Sequence, residues 1–71
     1  MIELTDKNIE DIDKEKFLVL FDKNGTPIIG KYVGSNVFKT ITQYILNDNG
    51  TYSSLYTRMY KNAFVGYIEI E

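Results

Sequence analysis

The stretch Phe17-Leu18-Val19-Leu20-Phe21-Asp22-Lys23-Asn24-Gly25-Thr26-Pro27-Ile28-Ile29-Gly30 decides the fold. Its opening run is β-branched, aromatic and leucine-rich, which favours a strand. Asn24-Gly25 tolerates the positive φ angles of a type I′ turn, so the chain is expected to fold back as a hairpin. Pro27 fits the start of the return strand, where a missing N–H does least harm. Gly30 and Gly34 weaken that strand but let it bend sharply. The two strands are expected over about 16–22 and about 26–33.

Downstream, the pattern stays that of strands. Val37 to Leu46 alternates, with Phe38, Thr40, Thr42 and Tyr44 on one face and Val37, Lys39, Ile41 and Gln43 on the other. Asn47-Asp48-Asn49-Gly50 is a second hairpin signal. Strands are therefore expected over about 37–46, 51–60 and 63–70. Upstream, Thr5 suits a helix N-cap and Asp6 the first turn. Leu4 and Ile9 have the spacing of a hydrophobic staple, and Ile9 and Ile12 share a face. A short helix over about 5–14 is the expectation. The whole chain, 1–71, reads as one domain: mainly β, with a short N-terminal helix and five strongly bent antiparallel strands. Such a meander suggests a small barrel of SH3-like or Sm-like type.

With 71 residues, the chain buries only about 60% of the surface its unfolded form exposes. It has no cysteine and no histidine, which removes disulfides, Cys-based zinc sites and the commonest metal ligand and general base. Stability must come from very good packing or from oligomerisation. The first strand is apolar on both faces, and the last sets Phe64, Ile68 and Ile70 against Val65 and Tyr67. A surplus of apolar faces implies a closed barrel or burial against another copy. Ten acids against eight bases give a formal charge of −2, which excludes a strongly basic nucleic-acid-coating surface but leaves room for a local basic patch. The acidic start Met1 to Asp6 lacks the pattern of a secretory signal, and the longest apolar run is too short to span a bilayer. The reading is of a soluble, cytoplasmic protein.

No arrangement supports catalysis. The glycines precede or interrupt strands rather than opening a helix, so no phosphate loop is expected. Asp11, Asp13 and Glu15 lack a calcium-loop glycine and read as solvated surface. Ser53-Ser54 has no histidine or lysine context. The protein is not expected to be an enzyme, nor to hold a metal or cofactor. The aromatic residues, six Tyr and four Phe, are more informative. Tyr52, Tyr56 and Tyr60 share one sheet face if the segment is a strand. They form either a cross-strand packing cluster or a stacking platform for bases.

The order helix, strand, Asn-Gly turn, bent strand, strand, hairpin, strand resembles the Sm-like family, and within it the Hfq branch. Leu4-Thr5-Asp6 is similar to the leucine-glutamine-aspartate that opens the Hfq helix. Asn24-Gly25 with Gly30 resembles the Hfq turn and bend glycine, and Val37-Phe38 falls where many members have a polar residue and an aromatic. Tyr60-Lys61-Asn62-Ala63-Phe64 is similar to the tyrosine-lysine-histidine-alanine-isoleucine run between the last two Hfq strands. Ile12 and Asp13 stand where many members carry rim arginines.

The resemblance implies an RNA chaperone of post-transcriptional regulation: a homo-oligomeric ring, usually a hexamer, that binds single-stranded, uridine-rich RNA. Thr5, Phe38, Lys61 and Asn62 would then contact RNA at the pore on the helix-bearing face, with Phe38 stacking on a base. Phe21 and Gly25 would contact adenine-rich RNA on the opposite face. Neighbouring subunits would join through the edges of the last two strands, at Tyr60, Val65, Tyr67 and Ile68. The rival expectation is an SH3-like protein-interaction or inhibitor module without RNA binding, favoured by the acidic balance and the long third and fourth strands.

Overall fold

Leu18 and Leu20 alternate with Val19 along the first long strand, and both are fully buried. They anchor a core completed by Ile9, Ile12, Tyr32, Phe38, Phe64 and Tyr67. The structure, a computed structural model, describes residues 1–70. Its strands are β1 (Ile2–Glu3), β2 (Leu18–Asp22), β3 (Pro27–Gly34), β4 (Val37–Leu46), β5 (Tyr52–Tyr60) and β6 (Phe64–Glu69). They form one antiparallel sheet in the order β1-β6-β2-β3-β4-β5. The expected five strands are present within a residue or two of their ends, with β4 over the full expected range. The barrel is not closed, however: β5 ends the sheet on one side and β1 on the other.

The helix expected over about 5–14 is absent. One 3-10 turn, Asn8–Asp11, takes its place. Local polar groups bracket this turn. The Thr5 N–H donates to Asn8 Oδ1 at 2.8 Å, and the Asn8 N–H donates to Thr5 Oγ1 at 3.1 Å. Asp13 Oδ1 then accepts the Glu15 N–H at 2.9 Å, a local bond that competes with helical pairing. Ile9 and Ile12 still reach the core together, because side chains three apart eclipse in 3-10 geometry. The sequence reading also missed β1. Ile2 pairs with Tyr67 and Glu3 with Gly66, and the Leu4 N–H donates to the Val65 carbonyl at 3.0 Å.

The two Asn-Gly signals do form hairpins, though not type I′ turns. Asn24 keeps negative φ, and only Gly25 is left-handed at +80°. The Asp22 N–H donates to the Thr26 carbonyl, enclosing a three-residue loop. Asp22 Oδ1 accepts the Asn24 and Thr26 N–H groups at 2.9 and 2.8 Å. Asn47 to Thr51 repeats this pattern, with the Asn47 N–H donating to the Thr51 carbonyl and Gly50 at φ +83°. The tight two-residue turn is at Ser35-Asn36, where both φ angles are positive. The Asn36 N–H donates to the Tyr32 hydroxyl oxygen at 3.0 Å and holds it in place.

The alternation expected along β4 breaks at a bulge. Ile41 pairs with Tyr56 but Gln43 pairs with Leu55, so Thr42 is extra. Gln43 therefore joins the face of Phe38 and Thr40, while Tyr44 joins that of Lys39 and Ile41. Beyond Thr40, β4 has no partner except β5, and the two run out as a ribbon that makes the molecule 43 Å long and 25 Å wide. Thr40 ties the base of the ribbon to the core. It is fully buried, and its hydroxyl donates to the Thr57 carbonyl at 3.0 Å. Thr40→Val keeps the shape and removes that bond, so a loss of about 1 kcal/mol is expected in urea denaturation, with an unchanged slope.

Candidate nucleic-acid interface

Phe38 is 0% exposed. Its ring lies 5.1 Å from that of Tyr32 and meets Phe64 edge-on at 5.6 Å. The expectation that Phe38 stacks on a base is thereby corrected: this position pairs with Tyr32 and Met59 on the core side of the sheet and holds the fold together. Thr5 is exposed, but its hydroxyl is engaged by Asn8. Lys61 is half-buried and ion-pairs with Asp6, which draws the Thr5 turn toward the Lys61-Asn62 turn and cancels the charge offered there. Asn62 is exposed. Phe21 is half-buried opposite Pro27 and Gly66, and Gly25 occupies the loop beyond it.

Of the residues expected between subunits, Tyr60, Val65 and Ile68 are exposed. Tyr67 is not: it belongs to the core, opposite Leu20 and Ile2. Burial, with the carboxylates of Glu69 and then Asp11 adding to it, raises the Tyr67 phenol above its usual range. The edges also differ from the expectation. β6 lies between β1 and β2, so neither of its sides is free where β1 covers it.

The face of the sheet away from the core carries the arrangement that sequence reading did not assemble. Lys31 on β3 pairs with Lys39 on β4, and Lys39 pairs with Arg58 on β5. Directly paired residues point to the same face, so three cations form a row across three strands, spanning about 10 Å. β3, β4 and β5 contain no aspartate or glutamate. The described ion pairs, Lys16 with Glu69 and Lys61 with Asp6, lie elsewhere. Like charges directly opposed destabilise a sheet, so an anion across this row relieves the repulsion.

Aromatic rings frame the row. The Lys31 ammonium lies 4.4 Å from the Phe17 ring centre, and that of Lys39 lies 4.7 Å from the Tyr56 ring centre. Tyr56 and Tyr60 share the face with Arg58, and Tyr52 and Tyr44 continue it along the ribbon. Tyr52 and Tyr60 are 68% and 67% exposed, leaving their rings open for stacking. On the other flank, Ile68, Val19 and Ile29 pair across β6, β2 and β3 as an apolar row. Among the described residues there is no pocket and no group of three potential metal ligands. No helix of the described residues is long and apolar enough to cross a membrane.

Comparison with family models, with curated proteins and with solved structures finds no match. The functional reading therefore rests on the chemistry of this face.

Proposed function

We propose that the chain binds single-stranded nucleic acid, with uridine-rich RNA as the first candidate, on the face of β3, β4 and β5 that carries Lys31, Lys39 and Arg58. The observation that carries this reading is the row of three cations without a carboxylate on the same strands, set among exposed tyrosines. Phosphates supply the opposite charge, and tyrosine rings stack on any base. The mechanism is binding, not covalent chemistry, and the protein works in the cytoplasm as a partner of RNA.

The resemblance to the Hfq branch agrees with the ligand but assigns the contacts differently. A pore site at Thr5, Lys61 and Asn62 has one cation, and Asp6 already neutralises it. A ring joined through the last two strands needs an edge of β6 that Ile2–Glu3 occupies. The cation–tyrosine face has neither difficulty. The second reading, a protein-interaction module without RNA binding, draws on the unpaired edge of β5.

Fluorescence anisotropy with short labelled oligouridine and oligoadenine separates the two readings. Three neutralised phosphates give a slope of log affinity against log salt of about −2 for a single strand. Lys39→Gln should weaken binding and flatten that slope by about 0.7, while Lys61→Gln should leave it unchanged. Absence of binding at low salt, or binding indifferent to Lys39, overturns the reading.

A further inference from the structure

The free edge of the sheet is β5, nine residues long. Exposed edges are ordinarily blunted by proline, lysine, inward charge, a bulge or brevity. The opposite edge, β1, has brevity, at two residues. β5 has none of these devices beyond the single charge of Arg58. Its sequence, Tyr52-Ser53-Ser54-Leu55-Tyr56-Thr57-Arg58-Met59-Tyr60, carries one charge and no proline. The bulge of the ribbon lies in β4, so β5 itself keeps a regular alternation. Beyond Thr40 the ribbon is only two strands wide, a width of marginal stability in water.

The side chains along this edge are also self-complementary. Tyr52, Tyr56 and Tyr60 are spaced symmetrically about Tyr56. If two copies of β5 pair antiparallel about a two-fold axis at Tyr56, Tyr52 faces Tyr60 of the other copy and Tyr56 faces its own equivalent. Arg58 then faces Ser54, so the arginines do not oppose each other. On the core side, Leu55 faces Thr57 and Ser53 faces Met59. A register centred on Arg58 sets the two arginines against each other, and one centred on Leu55 or Thr57 separates the tyrosines.

We infer that the protein is a two-fold dimer in which β5 pairs with β5 of a second copy, in the register centred on Tyr56. The occupant of the edge is the chain itself because the same strand supplies both halves of the pattern. The inference stands on the edge and does not depend on nucleic acid. The two-fold axis is perpendicular to the sheet, so both cation rows fall on one face of the joined sheet.

Ser54 tests the register, because it is half-buried on the outer face of β5 and faces Arg58 only across the interface. Ser54→Glu creates two symmetric ion pairs, and Ser54→Lys two repulsions, each shifting the dimer constant by about tenfold in opposite directions. Sedimentation equilibrium from micromolar to millimolar concentration reads both, with circular dichroism confirming that the sheet is retained. The expected result is twice the 8.2 kDa chain mass, with the dimer tightened by Ser54→Glu and loosened by Ser54→Lys. Monomer at all concentrations overturns the dimer. A larger assembly, or a dimer indifferent to both substitutions, overturns the interface.

Discussion

Phe38→Ala is expected to remove about half of the fold's stability. The ring is fully buried and packs against two other aromatic rings, from Tyr32 and Phe64. Truncating a core phenylalanine costs about 3–5 kcal/mol, through lost transfer energy and the cavity left behind. Domains of this length hold roughly 4–10 kcal/mol in total. The melting temperature should fall by about 15–30 °C, as each kcal/mol moves a domain of this size by roughly 4–8 °C. Thermal unfolding followed by circular dichroism measures it. A ring used only as a base platform would show the reverse: an unchanged melting temperature and weakened RNA binding.

Gly30→Ala should also be strongly destabilising. Gly30 pairs with Leu18 on one side and Thr40 on the other, where β3 is squeezed between its neighbours. An added methyl carbon would lie 2.8 Å from the Lys39 carbonyl oxygen and 3.2 Å from Leu20 Cδ1. Both neighbours are fixed, one as backbone and one in the core, so the strands must part. Overpacking of this kind costs about 1–3 kcal/mol, and here the upper half of that range is expected. The same substitution at an open strand position costs nothing comparable. A Gly30→Ala chain as stable as the parent in urea denaturation would mean that β3 and β4 leave room for the methyl group.

Most of the sheet was legible in the sequence because strand type and turn position leave local signatures. The strand-forming run Val37 to Leu46 appears over its full expected range, and Asn24-Gly25 and Asn49-Gly50 mark their loops. The N-terminal segment was misread for a reason of scale. A cap at Thr5 and a shared face for Ile9 and Ile12 are real, yet one turn satisfies both, and short helices gain little by growing. β1 carries no signal of its own: two residues become a strand only because β6 is there to receive them.

The candidate site was hidden by register rather than by composition. Lys31, Lys39 and Arg58 are far apart in sequence, and nothing local relates them. The turn at Ser35-Asn36, together with an extra residue at Val33 in β3, brings Lys31 opposite Lys39. The extra residue at Thr42 then shifts β5 by one position. Without it, Lys39 would face Met59, and Arg58 would face Thr40 on the core side. A bulge is thus what places the third cation in the row, and bulges have no reliable sequence mark. Phe38 was assigned to RNA through a resemblance of order and spacing, whereas its burial follows from the face it shares with Thr40, and Lys61 was credited with a charge that Asp6 neutralises.

Chemical-shift mapping of the amide groups with short oligouridine tests the central claim most directly, because it reports where the ligand lies as well as whether it binds. The account predicts perturbations that grow with ligand at Lys31, Lys39, Tyr56, Arg58 and Tyr60, fade with added salt, and leave Thr5, Lys61 and Asn62 in place. Perturbations confined to Thr5, Lys61 and Asn62, or a spectrum unmoved by the RNA at low salt, would contradict it.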